Sequence, residues 1–121
     1  MKYTIALLGI TAVFLGAFGA HSLKDLLEPT AVQSYKTGVA YHLIHTVAIL
    51  AMHKSPGNVT TIRLWIIGIL LFSGSIYALT LDELIGVNLN FMGPLTPLGG
   101  LFLASGWGSI AFNAQIHVDK S

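Results

Sequence analysis

Two histidines, His42 and His45, lie three residues apart in the apolar stretch AYHLIHTVA of residues 40–48. An imidazole can ligate a metal ion, relay a proton near neutral pH, or pair with polar groups in a packed interior. The pair alone does not complete a metal site, and the chain has no cysteine to add. We therefore predict no metal and no cofactor, although two such pairs from two subunits would supply four ligands.

A proton or ion path is the second chemistry that these residues could support. At about 100° per residue, Tyr41 and His45 share one polar face of a helix, with His42 about 60° further round. No aspartate or glutamate lies inside an apolar stretch to extend such a path. His21 lies roughly 20 Å from His45 along the predicted helices, at about 1.5 Å per residue, so these two cannot share one ion.

The third alternative is structural, and we favour it. A neutral histidine inside a bilayer needs a hydrogen-bond partner from a neighbouring helix, because lipid offers none. Polar side chains on the other apolar stretches have the same need. The candidate partners are Ser73, Ser75, Trp107 and Asn113.

The composition places these residues in a membrane. Of 121 residues, 54% are hydrophobic and only 9% are charged, and the mean hydropathy is +0.74. A soluble domain usually has about 25% charged residues. The net charge of +1, without a run of basic residues, argues against a nucleic-acid partner. The lipid bilayer is therefore the first predicted partner.

Four apolar stretches have about the 20 residues that a helix needs to cross the hydrocarbon core. They cover residues 3–20, 31–52, 62–81 and 97–116. The sequence therefore predicts an all-α fold, a four-helix transmembrane bundle that forms one integral membrane domain over residues 1–121. Ala17-Phe18-Gly19 would also suit the cleavage site of a signal peptide, the alternative interpretation of the first stretch.

Basic residues orient the predicted bundle. With an even number of spans, one side carries four of the six basic residues, namely Lys2, Lys54, Arg63 and Lys120. The positive-inside rule then places both termini in the cytoplasm, at the inner or plasma membrane. Ser22 begins a capping-box pattern that predicts a short interfacial helix between the first two spans. Thr30 and Thr96 are the predicted N-caps of the second and fourth spans.

Small residues recur at helical spacing and predict close contacts between helices, because van der Waals packing of backbones holds membrane helices together. So many small positions in a short chain favour association between proteins as well as internal packing. The predicted packing residues are Gly9, Gly16 and Gly19 on the first span, Gly74 on the third, and Gly100, Ala104 and Gly108 on the fourth.

Four motifs follow one another in an order that resembles the YgdD-like family of small, uncharacterised membrane proteins, which has eukaryotic relatives called transmembrane protein 256. They are GAFGAH at residues 16–21, Thr37-Gly38 followed by Tyr41 and His45, LFSGSIY at residues 71–77, and TPLGG at residues 96–100 with Gly106-Trp107. The resemblance implies a four-helix protein of the bacterial cytoplasmic membrane, with no assigned reaction, substrate or cofactor. The family often has glutamine at the position of His42, so the resemblance directs attention to His21, Tyr41 and His45.

The sequence predicts no enzyme, because it contains no HExxH motif, no nucleophile elbow and no paired intramembrane carboxylates. We expect a membrane protein of unknown biochemical activity that acts by association with itself or with a partner membrane protein. The alternative is a small oligomeric transporter or channel with a polar path near Tyr41, His42 and His45. No catalytic residue is predicted. The candidate functional polar residues are His21, Tyr41, His42, His45, Ser73, Ser75 and Trp107.

Overall fold

The computed structural model describes residues 1–112, which form helices and turns without a strand. A π-helical segment, Ile69–Ser73, joins two α-helices, so that one helical stretch runs from residue 59 to residue 85. The π segment was not predicted. The five α-helices are α1 (Lys2–His21), α2 (Pro29–Met52), α3 (Val59–Gly68), α4 (Gly74–Ile85) and α5 (Leu95–Phe112).

Three helical stretches in the described chain are long and apolar enough to cross a membrane: Lys2–Asp25, Val59–Ile85 and Asn90–Phe112. They match the first, third and fourth predicted spans. The helix α2 covers the second predicted span but is not among the three, since its first half carries polar residues such as Gln33 and Lys36. The predicted all-α class is therefore confirmed, with three apolar spans.

The helix α2 lies between α1 on one side and the α3–π–α4 stretch on the other, and α5 packs against α3 and the π segment. The core of buried apolar side chains forms where α2, α3 and α5 meet. Its members are Ile49, Ile62, Trp65, Ile69 and Leu103. This order gives α2 more protein neighbours than α1 or α5, so its polar side chains can find partners.

Glycines on α1 face α2 at close range. A Cβ atom on Gly19 would lie 2.5 Å from a ring carbon of Tyr35, and one on Gly16 would lie 3.2 Å from Val39. At Gly9 the nearest atom, in Thr46, would be 3.9 Å away. These three residues of the predicted packing set therefore belong to the contact between α1 and α2.

The row of α5 that faces the bundle differs from the predicted row of Gly100, Ala104 and Gly108. It comprises Gly99 and Gly106, with the buried Leu103 between them. A Cβ on Gly99 would collide with the backbone of Leu71 and Phe72, and one on Gly106 with the Trp65 indole. Two overlapping small-residue rows run along α5, and spacing alone did not indicate which one packs inward.

The short interfacial helix predicted after α1 is not confirmed. Residues Leu23–Asp25 make a single 3-10 turn, and Leu23 is fully buried instead of lying on the membrane surface. Ser22 precedes this turn but makes no side-chain capping bond, and its own N–H donates to the Phe18 carbonyl. The predicted N-caps were also wrong, since α2 begins at Pro29 after an extended Glu28 and α5 begins at Leu95.

Candidate functional site

His45 connects α2 to α5. The indole Nε1–H of Trp107 donates to His45 Nε2 over 2.9 Å, and His45 Nδ1 lies 2.7 Å from the Tyr41 carbonyl oxygen. Because an indole nitrogen only donates and a carbonyl only accepts, these contacts assign the neutral Nδ1–H form to His45. Both ring nitrogens are engaged, so His45 has no lone pair left for a metal ion.

Aromatic rings surround His45 and extend from the core to the outer surface. We call Tyr41, His45, Trp65, Phe72 and Trp107 the aromatic cluster. The rings of Trp65 and Trp107 lie 4.7 Å apart, and those of Tyr41 and Phe72 lie 4.8 Å apart, measured between centroids. Trp65 is fully buried, whereas Tyr41 is 44% exposed and Trp107 is 48% exposed. The cluster thus has an inner end in the core and an outer end on the lipid-facing surface.

The indole Nε1 of Trp65 is the one fully enclosed side-chain polar atom without a hydrogen bond in residues 1–112. A Cβ on Gly106 would contact this nitrogen, so the N–H edge of the ring packs on the bare backbone of α5. A buried donor without an acceptor costs about 1–3 kcal/mol. The helices α3 and α5 therefore pack closely at Gly106 although the indole N–H of Trp65 lacks an acceptor there.

His42 lies on a different side of α2, where it contacts α1 and α4. Its Nδ1 lies 2.9 Å from the Tyr77 hydroxyl, and its Nε2 lies 3.4 Å from the Thr11 hydroxyl. Thr11 donates its own hydrogen to the Leu7 carbonyl over 2.8 Å, so its oxygen can only accept from Nε2–H. The contacts assign the Nε2–H form to His42, the opposite tautomer to that of His45.

A cavity of about 280 Å³ lies beside His42, between α1 and the π–α4 region. Ser73, Gly74 and Tyr77 line it, and a Cβ on Gly74 would meet nothing within 4 Å. Gly74, predicted as a packing residue, therefore faces this open space instead of a neighbouring helix. The cavity reaches neither Tyr41 nor His45. These contacts divide the two histidines between separate interfaces and do not favour one polar path through both.

The other predicted polar residues have different positions. Ser73 donates to the Gly38 carbonyl over 2.7 Å, and Ser75 bonds to Thr96 on α5, so both join helices without bonding to a histidine. His21 is exposed at the end of α1 and is not among the residues that surround His42 or His45. Asn113 lies outside the described residues.

The sequence prediction missed the partners of His42 and the role of Trp65. Tyr77 lies four residues after Ser73, so both fall on one helix face, and that spacing could have indicated a polar side of α4 directed at α2. Thr11 gives no such signal, because a lone threonine in an apolar helix usually bonds only to its own backbone.

The family described as "Protein of unknown function (DUF423)" has a sequence profile that matches residues 15–100. A UPF0382 membrane protein of Haemophilus influenzae is 39% identical over 115 residues, which cover 91% of this chain and 89% of the relative. UPF0382 membrane protein C1782.12c of Schizosaccharomyces pombe is 38% identical, with 87% of this chain and 92% of the relative covered. UPF0382 inner membrane protein YgdD of Escherichia coli is 34% identical, with 84% and 79% covered. No solved structure matches the chain.

Proposed function

This chain belongs to the DUF423 family, whose relatives are UPF0382 membrane proteins, and from that premise we propose that it acts by association inside the bilayer. It is a multi-pass integral membrane protein with three apolar spans in its described part. The proposed partner is a second copy or another membrane protein. The names of its relatives mention no enzymatic activity, and we propose that its role does not involve catalysis.

We propose that α2 is a fourth span. Its 24 residues make a helix about 36 Å long, enough for a hydrocarbon core of about 30 Å, and its polar residues His42, His45 and Thr46 are buried against neighbours. With four crossings, Lys2 lies on the same side as the turn after α2, which carries Lys54. The positive-inside rule supports a cytoplasmic position for that side, at the inner or plasma membrane.

One observation carries the proposal of association: the row Gly100, Ala104 and Gly108, here called the outer row, is exposed at Ala104 and Gly108, while Gly100 lies at its edge beside the Phe72 ring. Ala104 is exposed, and a Cβ on Gly108 would meet nothing within 4 Å. Membrane helices approach closely where small residues recur every fourth position. The inner face of α5 is already occupied through Gly99 and Gly106, so the outer row is free for a helix of another protein.

The position of Tyr41 also favours the outer row as the surface that contacts another protein. Its ring packs on Phe72, and the Phe72 ring in turn lies 3.7 Å from the position of a Cβ on Gly100, so Tyr41 adjoins the outer row. The Tyr41 hydroxyl makes no hydrogen bond within residues 1–112, although it lies near the middle of α2. An unpaired hydroxyl facing hydrocarbon is costly, and a second helix on the outer row would offer it a partner.

Cysteine cross-linking in native membranes tests the proposal, and the chain's lack of native cysteines makes single substitutions clean. We expect Ala104→Cys to form a disulfide-linked dimer, or a cross-linked complex with a partner, under mild oxidation. Phe14→Cys is the matched control, because Phe14 is 70% exposed on α1, away from the outer row. Recovery of monomer alone from both variants, or equal cross-linking of both, would contradict association through α5.

A further inference from the structure

A larger cavity, of about 420 Å³, lies at the end of the bundle where α2 and α5 begin and α4 ends. Ala31, Ile76 and Leu79 form its apolar walls. Four hydroxyl residues complete the lining, and no charged side chain is among the lining residues. The hydroxyl residues are Ser34, Thr37, Thr80 and Thr96.

Thr80 is the unusual member of this set. It is only 8% exposed, yet its hydroxyl makes no hydrogen bond within the described chain, not even to the carbonyl one turn back. Its oxygen is not fully enclosed, because Trp65 Nε1 is the one unpaired atom of that kind in residues 1–112. The access that remains to Thr80 is through the cavity that it lines. The cavity therefore contains a nearly buried donor without an acceptor.

Of the other three hydroxyl groups that line the cavity, two already make hydrogen bonds within the protein and one does not. Thr37 donates to the Gln33 carbonyl over 3.1 Å, and the hydroxyls of Thr96 and Ser75 lie 2.5 Å apart and bond to each other. Ser34, at the exposed side of the cavity, makes no hydrogen bond within the described residues. A molecule in the cavity would thus meet two available donors, on Thr80 and Ser34, between apolar walls.

The position of Thr80 along the bundle indicates the membrane depth of the cavity. It lies five residues before the end of the span Val59–Ile85, about 7.5 Å along the helix. The polar layer on each side of the hydrocarbon core is about 5–8 Å thick. The cavity therefore lies at the boundary between hydrocarbon and headgroups, where the acyl esters of glycerolipids are found.

We propose that this cavity binds an acyl ester of a membrane glycerolipid. The Thr80 and Ser34 hydroxyls donate to the ester carbonyl oxygen, and Ile76 and Leu79 pack against the first methylene groups of the acyl chain. An ester carbonyl is uncharged and only accepts hydrogen bonds, which matches an uncharged lining with unused donors. The volume falls within the range of about 300–1,000 Å³ that small-molecule sites occupy.

Native mass spectrometry of the purified, delipidated full-length protein tests the site. The probes are a diacyl phosphatidylcholine and its dialkyl ether analogue, which lacks the carbonyl groups. We expect the diacyl lipid to be retained about three- to tenfold more tightly, the effect of one hydrogen bond. Equal retention of the two would overturn the proposal and leave the cavity with water or a hydrocarbon tail only.

Three variants locate the effect within the cavity. Thr80→Val, which keeps the shape but removes the nearly buried donor, should lower diacyl retention towards that of the dialkyl lipid, with Ser34 as the remaining donor, and Thr80→Ser should preserve it. Thr37→Val is the matched control, because that hydroxyl already donates to Gln33, and it should leave retention unchanged. An unaltered diacyl preference in Thr80→Val, or an equal loss in Thr37→Val, would contradict the assignment.

A diacylglycerol without a phosphate group separates ester from headgroup recognition. Retention equal to that of phosphatidylcholine supports the ester, whereas selective retention of the phospholipid would overturn it.

Discussion

The two histidines of α2 act as hydrogen-bonding joints between helices. His45 joins α2 to α5 through Trp107, and His42 joins α2 to α4 through Tyr77. In water such bonds would exchange with solvent at little cost. In hydrocarbon no other partner is available, so each bond holds its helix pair in one arrangement.

Replacing Trp107 with phenylalanine tests this role for His45. The substitution keeps an aromatic ring but removes the indole N–H, which leaves His45 Nε2 without a donor. We expect the free energy of unfolding to fall by about 1–2 kcal/mol, the cost of an unsatisfied buried polar group. Unfolding by a denaturing detergent, followed by circular dichroism, measures the change.

A double-mutant cycle is the control for this prediction. In a His45→Leu background the acceptor is already absent, so Trp107→Phe should cost clearly less than in the native chain. An equal cost in both backgrounds would mean that Trp107 stabilises the protein by packing alone.

The partner of His45 could be predicted from the sequence, but that of His42 could not. Trp107 was one of four candidates, because an indole N–H in the middle of an apolar span needs an acceptor. Tyr77 and Thr11 come from two helices on another side of α2, and only the three-dimensional arrangement brings them to one imidazole. Thr80 was missed for a related reason: its environment depends on where α2 and α5 begin.

Contacts between whole helices depend on glycine at the tightest points. The helix α5 approaches the π segment so closely at Gly99 that a Cβ there would overlap the backbone of Leu71 and Phe72. Backbone atoms cannot move aside as a flexible side chain can, so the helix pair would have to separate. This contact, rather than the outer row, sets the distance between α5 and the bundle.

Substituting alanine for Gly99 should therefore destabilise the fold by roughly 1–3 kcal/mol, the usual cost of overpacking. Gly100→Ala is the adjacent control, because a Cβ at that position would lie 3.7 Å from the Phe72 ring, an ordinary contact. Detergent unfolding of both variants measures the difference. Equal stability of the two would show that α5 packs with another face inward.

The positions of the apolar spans were predicted better than the helix ends and the helix contacts. The third predicted span, residues 62–81, lies inside the observed stretch 59–85, because an apolar run defines a span directly. The row of α5 that packs inward was not the predicted one, because Gly99 and Gly100 are adjacent and both rows have helical spacing. Ser22 lies between the end of α1 and the 3-10 turn and makes no side-chain capping bond.

Labelling at three loop positions can decide the membrane topology of the helices. If α2 crosses the membrane, the turn before it and the turn after it lie on opposite sides; if it does not, they lie on one side. We expect a membrane-impermeant maleimide to label Ser22→Cys and Asn88→Cys in intact cells, and Ser55→Cys only after permeabilisation. Labelling of Ser22→Cys and Ser55→Cys from the same side would exclude α2 as a fourth span.

The π segment is a place where the helix can lose one residue without rotating the side chains that follow it. A π turn holds more residues per turn than an α-helix, as an inserted residue does when a helix absorbs it without losing its direction. Deleting one residue within Ile69–Ser73 would restore regular α-helical pairing and leave the faces of α3 and α4 oriented as before. A deletion within α4 would instead rotate every later side chain of that helix by about 100° and turn Tyr77 away from His42.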